Sequence, residues 1–369
     1  MNIQKHILTY ALLATASFLL ISLLYYALSM RHHYSGTTEL IGKVAYYERN
    51  AVNYNLLFLG DSRTYCDISP EQIDSRLGTR SYNLAHWSNW MISQHALYED
   101  LAPKIPRGTT VVWSLGKHSF NDTEVAAKYP FNSSNVVHYL NVGIPPSRLV
   151  ETLVAFNPLT RFFHKRGTIL THIRELFALP VWSACARTNC TRQASAQPDW
   201  YARFAVPGVD RVEVVAHEGR TTSVALHYHS GHYERFEIDR NFFRSQQKKT
   251  CTDTTAEAYQ LPAPSPGYWQ LFLENLDRFQ AANVHLIINV LEEAPHGYAH
   301  PSIREKWRRF FLDEVAPEAK RRGIPFVYVD FASFTDDDFF DHNHMNKQGT
   351  KKYAPLLADA LAPLLPSKE

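Results

Sequence analysis

An alternation of short strand-like runs and helical stretches constrains this chain most. Leu56–Leu59, Arg80–Leu84, Thr109–Leu115, Val284–Val290 and Phe326–Val329 are rich in branched and aromatic residues. Between and after them, Ser69–Leu77, Trp90–Leu101, Tyr268–Ala282, Ser302–Arg322 and Gln348–Leu364 carry helical spacing. Ser69, Pro70 and Gln72 read as N-cap, first helical position and N3 of one helix, and Gly323 reads as a C-cap. Strands alternating with helices at these lengths predict an α/β fold: a parallel sheet covered on both faces.

The pattern breaks near Asn121 and resumes at Tyr268. The intervening chain is aromatic, histidine-rich and irregular, with antiparallel strands expected at Val209–Val215 and Ser223–Tyr228. The organisation read from this is a membrane anchor or signal at 1–33 and a linker at 34–55, whose first part can be helical. An α/β domain follows, built from 56–124 and 267–369, with an insertion or cap at 125–266.

The anchor rests on Ile7–Leu28, which spans 22 residues with no Asp, Glu, Lys or Arg. As a helix that length crosses a hydrocarbon core of roughly 30 Å. A cleaved signal peptide has a shorter apolar region, about 7–15 residues, so an uncleaved single-pass helix is expected. Ala27-Leu28-Ser29 resembles a cleavage site and keeps a processed signal as the alternative. Export places the cysteines in an oxidising compartment. Cys185 and Cys190 close a short loop and are a candidate disulfide; Cys66 and Cys251 pair only if the fold brings them together. With 38 basic and 36 acidic residues and a net charge of +2, nucleic acid is not expected as a partner.

Two fragments carry chemistry. Leu56–Leu59 runs into Gly60-Asp61-Ser62-Arg63, a turn that presents a serine at the carboxyl edge of a sheet. A serine hydroxyl is a poor nucleophile unless a base takes its proton and a third group orients that base. Among 18 histidines only His344 has an Asp three residues earlier, Asp341. That pair follows the last predicted strand, on the same sheet edge as Ser62. Ser62, His344 and Asp341 therefore read as nucleophile, base and orienting carboxylate. A helix starting just after Ser62 would aim its amides at a developing oxyanion.

These fragments, with Phe58-Leu59-Gly60-Asp61-Ser62-Arg63-Thr64 and His344-Met345-Asn346-x-x-Gly349, resemble the SGNH (GDSL-type) hydrolase superfamily. The likeness is strongest to its membrane-anchored, exported branch of polysaccharide O-acetylation and D-alanyl transfer proteins. It covers about 60–125 and 268–365. The resemblance implies a three-layer flavodoxin-like fold, a Ser–His–Asp triad and an oxyanion donor at the Ser62 N–H. It also implies two further donors, a Gly after the second strand and an Asn after the third. Here Ser88 stands at the first position. For the second, either Asn121 aligns within Ser119–Asp122, or His118 replaces the Asn after Gly116.

Arg63 is a candidate either for binding an acidic sugar or for a solvated or fold-bridging role. His227, His229 and His232 lie close together, but no carboxylate or cysteine ligand follows at a familiar spacing, so no metal is assigned. Trp182, Trp200, Tyr201, Tyr228 and Tyr233 line either a carbohydrate groove or the core of the insertion. The resulting expectation is a cofactor-free serine acyl esterase or O-acyltransferase on the extracytoplasmic side of the cytoplasmic membrane. Its substrate would be a cell-envelope glycan, and its partner an integral-membrane acyl donor. The alternative is a catalytically weak glycan-binding or scaffold protein of a polysaccharide-modification complex.

Overall fold

In the computed structural model the described residues are 17, 38–87, 89, 91–120, 209–217, 220–237, 264–297 and 301–366. They form an α/β fold around a five-stranded sheet. Its strands are β1 (Leu56–Leu59), β2 (Ser81–Asn83), β3 (Thr110–Leu115), β7 (His285–Val290) and β8 (Phe326–Tyr328). They lie in the order β2-β1-β3-β7-β8, and every pairing is parallel. That order is compatible with a flavodoxin-like fold.

Period-2 alternation divides each strand between two cores. Leu57 and Leu59 of β1, Val111 and Trp113 of β3 and Ile288 of β7 face one side. There they meet α1 (Thr38–Asn50), α4 (Met91–Leu101) and α5 (Pro266–Ala281). Leu56, Phe58, Val112 and Ile287 face the other side. They meet Ile73 of α3 (Pro70–Leu77) and Tyr353, Leu357 and Leu361 of α8 (Lys347–Leu361). Trp113 is fully buried, and its indole N–H donates to Gln94 at 2.7 Å, so the largest core side chain keeps its polar group satisfied.

Local sequence explains most of the element ends, with some departures. Residues 38–50 of the expected linker form α1, whose Leu40, Val44 and Tyr47 enter the core. Pro70 opens α3, but Ser69 makes no cap and donates instead to Glu71 at 3.0 Å. The single helix expected over Ser302–Arg322 is α6 (Pro301–Phe310), a π turn (Phe311–Val315) and α7 (Ala316–Arg321). Pro317 near the start of α7 has no N–H to continue the preceding ladder. Asn346 caps α8 by accepting from Gln348 and Gly349 at 2.9 and 3.1 Å.

Part of the expected insertion is a three-stranded antiparallel sheet: β4 (Val209–His217), β5 (Arg220–Tyr228) and β6 (Tyr233–Glu237). The β5–β6 turn is seated on the end of β2. Asn83 N–H donates to Ser230 at 2.7 Å, and the Lys43 ammonium on α1 donates to the Gly231 carbonyl at 2.9 Å. Gly231 has φ +80°, and a Cβ there would lie 2.2 Å from the Asn83 carbonyl oxygen.

Among the described residues no helix is long and apolar enough to cross a membrane. The span expected at 7–28 lies, residue 17 aside, outside the described residues, as do Cys185, Cys190, Cys251, Trp182, Trp200 and Tyr201. Substituting Gly231→Ala combines left-handed strain with a backbone clash. It should cost about 1–3 kcal/mol and expose the β5–β6 turn to proteolysis, as read from urea melts and limited digestion. An unchanged melt and digest would show that the turn is not seated on β2.

Candidate active site

The strand order reverses between β1 and β3, and ligands of open α/β sheets bind at the carboxyl edge of such a switch point. The chain leaving β1 turns sharply there. Gly60 has φ +153°, and a Cβ would lie 2.1 Å from the Thr64 hydroxyl oxygen, so the turn requires glycine. Asp61 is the N-cap of α2 (Ser62–Asp67), its carboxylate accepting the Arg63 N–H at 3.0 Å. Because Asp61 caps the helix, the Ser62 hydroxyl is left for another partner. Ser62 occupies the first helical position, where a backbone N–H has no intrahelical acceptor. Asn89 braces the turn from β2's side, donating to the Gly60 carbonyl at 3.0 Å.

That other partner is His344. Its Nε2 lies 2.8 Å from Ser62 Oγ, and its Nδ1 lies 2.8 and 3.0 Å from the two carboxylate oxygens of Asp341. Asp341 Oδ1 also accepts the backbone N–H groups of Asn343 and His344, at 2.9 and 2.8 Å. These four contacts hold the loop that separates β8 from α8. Burial pushes the Asp341 carboxyl up, but the His344 ring beside it and the loop amides outweigh burial and hold it well below the usual carboxylate range. An ionised Asp341 fixes the Nδ1–H tautomer, so Nε2 accepts from Ser62. Two rings flank the imidazole: Phe340 stacked at 5.4 Å and Trp87 edge-on at 5.2 Å.

Beneath the turn lies a buried charge cluster. The Arg63 guanidinium pairs with Asp61 and donates to the Leu291 carbonyl at 3.4 Å. Arg63 is only 1% exposed, so of the two roles open from the sequence it takes the fold-bridging one rather than facing a sugar. Its space is set by Gly116, where a Cβ would collide with the guanidinium. His118 is also buried, its Nε2 2.7 Å from Glu293, whose other oxygen lies 2.7 Å from the Lys117 ammonium. Burial raises the Glu293 carboxyl, and Lys117 and His118 overcome that, holding it far below its usual range. His118 Nε2 thus faces Glu293. Ser88 and Asn121, the other oxyanion candidates, lie outside the described residues.

The histidines of the hairpin diverge. His227 Nδ1 lies 3.2 Å from the Tyr65 hydroxyl, His232 lies 3.3 Å from the Cys66 carbonyl, and His229 is exposed. Tyr233 is buried against Tyr65 and Trp87. Sequence reading missed Trp87, Asn89 and Glu293, which act across the fold on residues far from them in the chain. The signal available for Glu293 was its position just beyond β7, on the sheet edge that holds Ser62.

No family model matches this chain, and no curated protein matches it.

Asp67 at the end of α2 is fully buried and accepts the Met345 N–H at 2.8 Å, tying the two halves of the site together. Burial pushes its carboxyl well above the usual range. The folded state therefore holds a proton that the unfolded chain releases near pH 4. This contribution is fully present below that pH and is lost as pH rises through the folded value. Asp67→Asn keeps the acceptor for Met345 and removes the titration. Its melting temperature relative to the parent should rise between pH 4 and pH 8; a difference constant with pH would refute the protonated Asp67.

Proposed function

We propose that this chain is an SGNH-type serine acyl esterase or O-acyltransferase of the cell envelope, with Ser62 as nucleophile, His344 as general base and Asp341 as its orienting partner. The observation that carries this reading is the continuous line from Ser62 Oγ through His344 to Asp341, 2.8 Å at each link. The strand order and the placement of Ser62 at the switch point support the three-layer flavodoxin-like arrangement of that superfamily.

In the reaction Ser62 Oγ attacks the ester carbonyl while His344 Nε2 takes its proton. The tetrahedral oxyanion forms against the Ser62 N–H at the start of α2. Collapse breaks the bond to the leaving alcohol, which takes the proton from His344 and leaves an acyl-Ser62 ester. Water or a glycan hydroxyl then attacks that ester. His344 takes the attacking proton and returns it to Ser62 Oγ. Asp341 stays ionised throughout, stabilising the imidazolium.

The predicted anchor and the family resemblance favour an extracytoplasmic station and an integral-membrane protein as acyl donor. A scaffold reading draws on one observation: His118, one of the two residues that could stand at the third-strand oxyanion position, has its Nε2 2.7 Å from Glu293. The two readings separate on one experiment with the full-length protein. Incubation with p-nitrophenyl acetate and with a fluorophosphonate should give p-nitrophenol release and a label on Ser62. Ser62→Ala should abolish both, and His344→Ala should lower release by about 10³-fold or more. Absence of both release and label in the parent protein would reject the enzyme and favour the scaffold. Unchanged release by Ser62→Ala would remove Ser62 from the mechanism.

A further inference from the structure

The segment that carries Asp341 and His344 is closed on itself. Phe339 and Met345 form an antiparallel bridge. The Phe340 N–H donates to the His344 carbonyl at 3.0 Å, and the Asn346 N–H donates to the Asp338 carbonyl at 3.0 Å. Inside this loop Asp341 accepts the loop's own amides and holds the His344 ring. The mutual geometry of Asp341 and His344 is therefore a property of the loop. Its distance from Ser62 is not, because Ser62 belongs to another element.

The loop is attached to the rest of the fold from both sides of the site. From the end of β7 the Ala294 N–H donates to the His342 carbonyl at 3.1 Å. From α2 the Asp67 carboxyl accepts the Met345 N–H at 2.8 Å. α2 is six residues long, so Ser62 and Asp67 at its two ends lie about 8 Å apart along its axis. They meet consecutive loop residues, His344 and Met345, so one short helix grips the loop twice. Asp67 is fully buried, and its Oδ2 has no hydrogen-bond partner among the described residues. A carboxyl is thus kept out of water at a desolvation cost, and the hydrogen bond it makes goes to the residue beside His344. Met345 is buried as well, so without Asp67 its N–H loses its acceptor in a place water does not reach.

We propose that Asp67 is a positioning residue: it docks the closed loop 338–346 onto α2 and so sets the His344 ring at hydrogen-bonding distance from Ser62. Loss of Asp67 leaves the Asp341–His344 pair intact and shifts it as a unit away from the serine. A misplacement of about 1 Å in such a contact costs about 10²-fold in rate. The kinetic consequence rests on the acyl-serine reading of Ser62; the docking itself does not.

The test compares full-length Asp67→Ala and Asp67→Asn with the parent; Asn keeps an acceptor for the Met345 N–H and Ala does not. With p-nitrophenyl acetate, Asp67→Ala should lower kcat by about tenfold or more and change KM by less than about twofold, with fluorophosphonate labelling of Ser62 slowed in step. Asp67→Asn should bring kcat back to within about threefold of the parent. Hydrogen exchange resolved to single amides should show Met345 opening in Asp67→Ala, while the Phe340 and Asn346 amides inside the loop keep parental protection. Val315→Ala, in the π turn of the core opposite α8, is the control for lost stability and should keep the parental kcat below its melting temperature. Parental kcat and labelling in Asp67→Ala overturn the proposal. So does an equal loss in Asp67→Ala and Asp67→Asn, or exchange that rises through the whole loop together, which is unfolding rather than undocking. A parent that never labels at Ser62, but whose Met345 amide opens on Asp67→Ala, keeps the docking and rejects the serine enzyme, so the two failures are distinct.

Discussion

The Asp61 cap on α2 is the interaction on which the site depends. A βα turn has unsatisfied amides at the start of its helix, and the residue after the strand commonly supplies the oxygen that meets them. Had Ser62 taken that task, its hydroxyl would face its own helix. Asp61 takes it instead and also holds Arg63, which sinks beneath the turn into the space left by Gly116. Gly60 lets the backbone turn tightly enough for this exchange of roles. A local choice of cap thus decides that a serine hydroxyl at the sheet edge meets an imidazole.

The cluster under the turn extends the same logic. Asp61 with Arg63, and Glu293 with Lys117 and His118, join the ends of β1, β3 and β7 by opposite charges taken out of water. Such pairs contribute little net stability once desolvation is counted, but breaking one leaves an uncompensated buried charge. Asp67 differs: it carries a raised carboxyl and reaches the backbone of Met345, beside His344. Ionic pairs thereby set Ser62's side of the site, and the buried Asp67 carboxyl links it to His344's side.

Much of this was legible in the sequence because it is local. Continuous apolar runs marked the core strands, and the spacing of Asp341 and His344 marked a pair that the loop does bring together. What was hidden depends on distant partners. Arg63 stayed open between a sugar ligand and a fold-bridging side chain because Gly116 and Leu291, which help bury it, lie far along the chain. The partner of His118 was hidden because Glu293 lies far along the chain. The segment 34–55 read as a joining stretch with a helical start, and it is the shared buried face of Leu40, Val44 and Tyr47 that makes α1 part of the core. Trp87 drew no notice because Tyr233 and His344, the rings that give it meaning, arrive from the hairpin and the last loop.

Ser62 and His344 stand 282 positions apart in the chain. During synthesis Ser62 is therefore made early, and its contact with His344 forms only once the final strand, its loop and the closing helix have been added and docked. A prematurely ended copy carries the serine at its turn without the imidazole that meets it.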